Sequence, residues 1–450
     1  MIETVAIIGA GFAGSLQAIN LVRHGGPRAV LVDRGLTPGL GLAYGAAHPA
    51  HVLNVRAANM SALPDDPDHF VRWLHGRGVA DAAGAFVPRR IYGTYLRELL
   101  DEVRAAAGDR LRIVHGDVVD VRRGDGVEVR LADGGALSVD AAVLAVGNLP
   151  PHDPPGVPSE GLPRDVYMGD PWDPGVADGL GAEDTVLLIG TGLTMVDVAL
   201  KLEAEGFTGR IVALSRRGLL PRQHAHLPPP ADRLRTRPDT VASALLGDLR
   251  TRAEAIGWRH AVDELRPFTQ AMWANASAAE RDRFLRHLRP WWDVHRHRLA
   301  PVIAARVVAM QDSGLLHVAA GKTVSLRPCE AGVGVAWRPR GEQAVRTMTV
   351  RRVVNCTGPQ GDLSRSTEPL LRRLVERGLI RPDAARLGID VNAAAHTIAA
   401  DGTANEWLFA LGPMTRGAFW EIVAVPDIRV QTWHLARRLS NAHWVEGEGL

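Results

Sequence analysis

Two glycine clusters in this sequence have the spacing needed to hold phosphates. The first, TVAIIGAGFAG over residues 4–14, sets Gly9, Gly11 and Gly14 in a G-x-G-x-x-G pattern. An apolar β-type run precedes it. Ser15–His24 follows, with Leu16, Ile19, Leu21 and Val22 at helical spacing, and a further strand pattern, Ala29–Val32, ends on Asp33. Strand, glycine turn, helix, strand and acid in that order predict a βαβ unit that binds a dinucleotide. Gly9 permits the tight turn, Gly11 lets the backbone approach a pyrophosphate, and Gly14 lets helix pack closely on strand. The helix N-terminus stabilises the anion, and Asp33 would accept hydrogen bonds from ribose hydroxyls. Phe12, Ala13 and Arg34 flank these positions as further candidate contacts. A plain tight turn is the bland alternative, and the acid in place weighs against it.

The second cluster begins at Thr185. TVLLIGTGLTMVDVA gives a strand, then Gly190 and Gly192, then a helix that carries Thr194 in its first turn and reaches Lys201. Met195 occupies the third glycine position, which predicts looser packing of helix on strand. The next strand, Ile211–Leu214, ends in Ser215, Arg216 and Arg217 where the first copy has Asp33. An acid there would repel the 2′-phosphate of NADP, whereas a hydroxyl and guanidinium groups would bind it, so the pattern reads as NADPH rather than NADH. Strand-end charges in water are the alternative for Arg216 and Arg217.

Each cluster is followed by the same kind of ending. Leu111–Asp140 alternates in short strands and closes in AAVLAVGN on Gly147; Val324–Thr349 does likewise and closes in RRVVNCTGP on Gly358. The expected fold is therefore α/β, with two Rossmann-like dinucleotide-binding domains, each with a β-meander. One domain is expected to be discontinuous, residues 1–160 plus 352–450. The other, 161–351, carries a helical insertion at about 228–310, opened by PRQHAHLPPP and helical from Asp239 onward. Trp258, Trp273, Trp291 and Trp292 fall in it, as packing residues or as the lining of a substrate pocket.

The remaining composition narrows the class. A chain of 450 residues with 46% hydrophobic and 23% charged residues reads as globular, and its net charge of +2 gives no electrostatic case for nucleic acid or an anionic membrane. Arginine carries nearly all the positive charge, Lys201 and Lys322 being the only lysines. No apolar run is long enough to span a membrane, and the two cysteines, Cys329 and Cys356, are far apart, which fits a reduced cytoplasmic setting. His224/His226 and His295/His297 are spaced H-x-H without an accompanying Cys or acidic set, so no metal is expected. His295, Arg296 and Arg298 are candidate substrate contacts; Arg296 and Arg298 could bind a substrate carboxylate or the NADPH phosphates, with a solvated or salt-bridged helix face as the alternative.

GAGFAG, AVLAVGN, GTGLTMVD and VVNCTGP in this order resemble a bacterial FAD/NAD(P)-binding family related to the class B flavin-dependent monooxygenases of N-hydroxylating type. GLAYG at 41–45, HVLNVRAANMSAL at 51–63, WWDVHRHRLAP at 291–301 and LGPMTRGAFWEIVAVPDIRVQ at 411–431 extend the resemblance over nearly the whole chain. It implies a glutathione-reductase-like flavoprotein fold, with FAD in the first domain and NADPH in the second. It places Tyr44 and Asn54 beside the flavin, and Asn59 and Met60 where they would position flavin and nicotinamide. Gly412, Thr415 and Gly417 would supply donors near the flavin, although Pro413 stands where related proteins have an acid. The implied reaction is NADPH-dependent oxygen transfer through a C4a-hydroperoxyflavin to a small amine or amino acid, with molecular oxygen and a small-molecule substrate as partners and a homo-oligomer left open. VYMGDPWDP at 166–174 lacks the histidine of Baeyer–Villiger enzymes, and no close cysteine pair supports a disulfide reductase. A reductase that serves a partner or a quinone, a Baeyer–Villiger or sulfide oxygenase, and a redox-sensing binding protein remain as alternatives.

Overall fold

In the computed structural model, residues 2–225, 228, 230 and 232–441 are described, so His226 of the second H-x-H pair lies outside the described residues. Three sheets organise the chain. The first runs β15 (His396–Ile398), β16 (Ala404–Ala410), β7 (Ala141–Leu144), β1 (Thr4–Ile8), β2 (Arg28–Asp33), β3 (Leu111–His115). All its neighbours are parallel except β15 on β16. Strand alternation explains its apolar run: Val5 and Ile7 face one layer, with Leu16 and Leu435, while Ala6 and Ile8 face the other, with Val121 and Leu371. Helices Phe12–Arg23 and Val425–Leu439 form the first layer. A separate meander, β4 (Val118–Arg123), β5 (Val127–Leu131) and β6 (Ala136–Val139), and helix Pro369–Glu376 form the second.

The second sheet runs β13 (Arg346–Val350), β12 (Gly332–Pro339), β11 (Leu316–Cys329), β10 (Arg210–Ser215), β9 (Thr185–Ile189), β14 (Arg352–Asn355), β8 (Tyr167–Met168). Its meander is not separate. The first residues of β11 pair in parallel with β10, and from Gly321 onward the same strand pairs antiparallel with β12. Met195 at the third glycine position is fully buried in this domain's core.

Two expected boundaries move. Arg352–Asn355 is not the start of the returning first domain; it pairs with β9 in the second sheet, as β7 pairs with β1 in the first. The matching endings of the two halves are the physical reason, since each must close its own sheet. The helical insertion also ends earlier. Helix Pro301–Asp312 buries Ile303, Val307 and Met310 in the second domain's core and is the crossover into β11. The insertion proper comprises helices Ala242–Ile256, Trp258–Glu264, Thr269–Asn275, Ala278–Arg283 and Arg289–Arg296.

The glycines fall into two kinds. A Cβ on Gly14 would sit 1.8 Å from the Gly9 carbonyl oxygen, whereas one on Gly192 would meet nothing within 4 Å. Gly14→Ala is expected to cost about 3 kcal/mol through overpacking and to lower the thermal midpoint. Gly192→Ala is expected to stay within about 1 kcal/mol of the parent, as exchange at a helix N-cap allows. Thermal unfolding of the two variants side by side checks both.

Candidate functional site

One cleft of about 1730 Å³ lies between the sheets' C-terminal ends and is lined from both domains and the insertion. At its first end, helix Phe12–Arg23 begins at Gly11 with no side-chain cap, and at the other, helix Leu193–Ala204 begins at Gly192 in the same way. Their first-turn N–H groups are left for an anion. The space that a Cβ would occupy is open at Gly192, and at Gly11 its nearest neighbour is the Gly41 Cα at 3.6 Å. Each turn thus forms a cradle that a dinucleotide pyrophosphate fits.

Of the expected contacts on the first side, Gly9, Gly11, Phe12, Ala13, Asp33, Arg34, Tyr44, Asn54 and Gly147 all line the cleft. Burial raises the Asp33 carboxyl, partly offset by hydrogen bonds from the backbone of Ala10, Gly35 and Arg34. Arg34 is also bound to Glu368 at 2.9 Å. Gly14 is not at the cleft, in keeping with its packing role. Gly147 and its counterpart Gly358 adopt φ of +70° and +93° and both line the cleft.

Asn59 and Met60 line the cleft as well, on a loop held from across it. His51 Nε2 lies 2.9 Å from the Asp197 carbonyl, His224 Nε2 lies 2.9 Å from the Asn54 carbonyl, and Arg56 donates to the Ala225 carbonyl at 3.2 Å. Beside them Arg89 of the first domain pairs with Asp197 of the second at 2.8 Å, largely buried. These contacts fix the two glycine turns relative to one another.

On the second side Gly190, Gly192, Thr194, Ser215, Arg216 and Arg217 line the cleft. The Ser215 hydroxyl lies 2.8 Å from Thr191 Oγ1 and accepts from the Gly218 N–H at 3.0 Å, so it shapes the turn that presents the arginines. Arg216 also borders a hollow with Lys322, Arg338 and Arg340. Lys322 stands opposite Arg338 in the β11–β12 pairing. Like charges directly opposite destabilise a sheet unless an anion joins them. Burial and then the charges of Arg216 and Arg340 lower the Arg217 pKa. Sequence reading missed Arg340, Lys322 and Arg338, because only the strand register brings them to Arg216.

Several of the expected residues are placed away from the cleft lining or are already engaged within the protein. Gly412, Thr415 and Gly417 stand behind the cleft wall. Thr415 is fully buried and donates to the Gly412 carbonyl, the Gly412 N–H donates to Gln431, and Gly417 packs on Asp383 and accepts from the Trp273 indole at 2.8 Å. From that segment Pro413 and Arg416 reach the cleft. Arg298 lines it, but its fork is spent on Asp263 at 2.9 and 3.0 Å and on the carbonyls of His295 and Arg259. His295 does not line it; its ring meets Trp258 edge-on, with Nδ1 2.8 Å from the Trp291 carbonyl. None of the four insertion tryptophans lines the cleft either. Trp273 stacks on Trp420 at 4.6 Å and Trp292 donates to Glu421 at 2.9 Å, so both dock the insertion.

Glu421, which sequence reading also missed, centres that docking. It is buried at a φ of +70°, a conformation that costs a non-glycine residue about 1–3 kcal/mol. Arg296 Nε faces it at 3.2 Å, as a charge pair without hydrogen-bond alignment, and His297 Nε2 stands at 3.6 Å. Burial opposes the charge on both Glu421 and His297. Their mutual attraction, with the Trp292 hydrogen bond on the carboxylate, overcomes it, so the carboxyl falls below its usual range and the imidazole rises above its own. Arg296 is thereby a cleft-lining group already committed to a carboxylate. Among the described residues no group of three or more His, Cys, Asp or Glu is placed to hold a metal ion, and no helix is long and apolar enough to cross a membrane.

Residues 6–149 match the family model described as FAD-NAD(P)-binding. No curated protein matches the chain. Among the solved structures to which the fold is similar over 98% of the chain are three oxygenases. L-lysine 6-monooxygenase from Pseudomonas syringae has 15% identity, a TM-score of 0.69 and all of its chain covered. Ornithine N-hydroxylase from Kutzneria sp. 744, solved with reduced FAD, NADP+ and L-ornithine, has 14%, 0.67 and all of its chain covered. The cadaverine monooxygenase of Erwinia amylovora, bound to FAD, has 14%, 0.67 and 95% of its chain covered. The fold is therefore the α/β fold of the N-hydroxylating flavin enzymes.

Glu421→Gln is expected to cost about 3 kcal/mol, the scale for breaking a buried pair, and to loosen the insertion. The His297 contribution is complete below its unfolded pKa and is lost as pH rises through its raised folded value. The Glu421 contribution is complete above its unfolded pKa and is lost as pH falls through its lowered folded value. The docking contact is thus strongest in the window between them. Thermal midpoints across pH should show the alkaline loss in the parent and a flatter profile in Glu421→Gln.

Proposed function

We propose that this protein is an NADPH-dependent flavin monooxygenase that hydroxylates the nitrogen of a small amine. The observation that carries the reading is the single cleft holding two uncapped glycine turns, with Asp33 beyond one and Arg216 and Arg217 beyond the other. FAD bound at Gly9–Gly14 would accept hydride from NADPH and activate oxygen. The chain's own part is placement. Asp33 would hold the adenosine ribose, and Gly147 and Pro413, which line the cleft, would contact the cofactor through their backbone. The Asn54–Met60 loop, clamped through Arg89–Asp197, His51 and His224, would hold the nicotinamide and flavin when they are bound. The insertion, docked by Trp273 and Glu421, roofs the cleft and limits water there. In the second domain Arg216 and Arg217, with Arg340 behind them, receive the 2′-phosphate.

Two measurements test this. The purified flavoprotein is mixed with NADPH without oxygen, then with isotopically labelled oxygen and a panel of amines. Flavin bleaching followed by label in a hydroxylamine product is expected. Bleaching with hydrogen peroxide as the sole oxygen product across the panel would favour a reductase, and no bleaching would favour a binding protein. In the second, Arg216→Ala is expected to raise the KM for NADPH at least about tenfold through loss of a charge-assisted contact, with little change for NADH. Equal change for both cofactors would remove the 2′-phosphate role.

A further inference from the structure

Arg216 lines two spaces, the cleft and a second hollow of about 330 Å³ bordered by Lys322, Arg338, Arg340 and Glu342. Backbone contacts build that hollow. The Arg340 N–H donates to the Ala320 carbonyl at 2.9 Å, which fixes the end of β12 against β11. A Cβ on Gly218 would stand 3.1 Å from the Ala320 Cβ, so the turn that carries Arg216 and Arg217 is pressed against β11 at the same residue. Gly321 lines the hollow and has no room for a side chain, since a Cβ there would stand 2.6 Å from the Arg338 carbonyl oxygen. In the next pair of the ladder Lys322 stands opposite Arg338, which sets their side chains on one face of the sheet.

The charges there are uncompensated. Among the described residues the side chains of Arg216, Lys322, Arg338 and Arg340 have no hydrogen bond or ion pair. The acid that borders them, Glu342, is held through both oxygens by Arg346 at 2.8 and 2.9 Å. In the insertion wall, by contrast, Arg266, Arg296 and Arg298 each have a carboxylate. A phosphate monoester carries a charge of about −1.5 to −2 at neutral pH. Arg216 and Arg217, with Arg340 behind them, match that charge for the 2′-phosphate of NADPH. Lys322 and Arg338 are surplus to it, and like charges held opposite each other are unfavourable until an anion joins them. Arg338 offers a planar fork suited to a phosphate, and Lys322 a point charge. A protein partner covers about 800 Å² a side, whereas these groups border one small concavity, which fits a compact anion.

We propose that this hollow is a second phosphate site, adjoining the 2′-phosphate contact, that takes inorganic phosphate or a small phosphomonoester on Lys322 and Arg338. Arg216 belongs to both sites. An anion in the hollow draws its guanidinium from the cleft, so phosphate weakens the binding of NADP(H) and leaves that of NAD(H) unchanged. The coupling is reciprocal, and a bound 2′-phosphate weakens phosphate in the hollow by the same factor. The anion site stands on Lys322 and Arg338 alone, and its coupling rests on the NADPH reading above.

The test is equilibrium dialysis of radiolabelled inorganic phosphate against the FAD-loaded protein, with sodium chloride holding the ionic strength constant. Saturable binding is expected, weakened about tenfold or more in Lys322→Met/Arg338→Met through loss of two charge-assisted contacts. Arg217→Ala, which alters the cleft alone, is expected to leave it within about twofold. NADP+ is expected to weaken phosphate about fivefold and NAD+ to leave it unchanged. In phosphate-free buffer the double variant is expected to bind NADP+ within about twofold of the parent, since exposed charges away from the contact act weakly. Its thermal midpoint there should be no lower than the parent's, because a repulsive pair has been removed. Displacement of the label by glycerol 3-phosphate at lower concentration than by unlabelled phosphate assigns a phosphomonoester, and the reverse order assigns free phosphate. Absence of saturable binding overturns the proposal. So does binding lost in Arg217→Ala and kept in the double variant, which would seat phosphate in the 2′-phosphate contact. A double variant that loses NADP+ together with phosphate also overturns it, since the hollow would then hold the nucleotide's own phosphate. Displacement by an acidic peptide at lower concentration than either phosphate would assign a protein partner instead. Equal weakening by NADP+ and NAD+ would leave the anion site standing and remove the 2′-phosphate role of Arg216.

Discussion

The rest of the structure depends on one close approach that occurs twice. In the first domain the Gly9 N–H donates to the Val32 carbonyl while the Ala145 N–H donates to the Ile8 carbonyl, and a Cβ on Gly9 would stand 2.5 Å from the Ala145 oxygen. In the second, Gly190 donates to Leu214, Cys356 donates to Ile189, and a Cβ on Gly190 would stand 2.3 Å from the Cys356 oxygen. The turn after the first strand is thus wedged against the end of the strand that closes each sheet. Both glycines are at positive φ, +102° and +118°, so neither the space nor the backbone admits a side chain. That wedge aims the helix N-termini into the cleft and brings Gly147 and Gly358 to its rim.

How far the sequence announced this follows from the same geometry. Local constraints were legible, because a glycine triplet between a strand and a helix can be read within a dozen residues. Asp33 and Arg216 could be placed because they terminate strands next to those turns. The boundary at Arg352 was misplaced although the signal was present: VVNCTGP is the counterpart of AVLAVGN, and a closing strand belongs to the sheet its own glycine turn opened. Met195 also had a readable reason. A buried side chain in place of the third glycine means that this helix packs through that side chain.

What could not be read was whatever depends on two distant segments meeting. Arg340 reaches Arg216 only through the register of a fourteen-residue strand shared between the Rossmann sheet and its meander. Arg298 was a reasonable substrate ligand until Asp263, on a neighbouring helix, was found to occupy it. Arg416 was passed over inside TRG, where Thr415 and Gly417 looked more useful. In the fold those two build the turn from behind, and the turn delivers Arg416.

The insertion gives these misses a common cause. Its helices carry little sequence signal of function, since their polar and aromatic residues are used mainly to hold the insertion against the 412–427 segment through Trp273, Trp292, Arg266 and His297. The cost of that attachment is concentrated at Glu421, a buried acid at positive φ that would be unfavourable in isolation. It persists because an indole, an imidazole and a guanidinium converge on it. With Glu421 shared between Arg296 and His297, Asp263 paired with Arg298, and Asp427 paired with Arg266, much of the arginine charge in the wall of the cleft is already engaged.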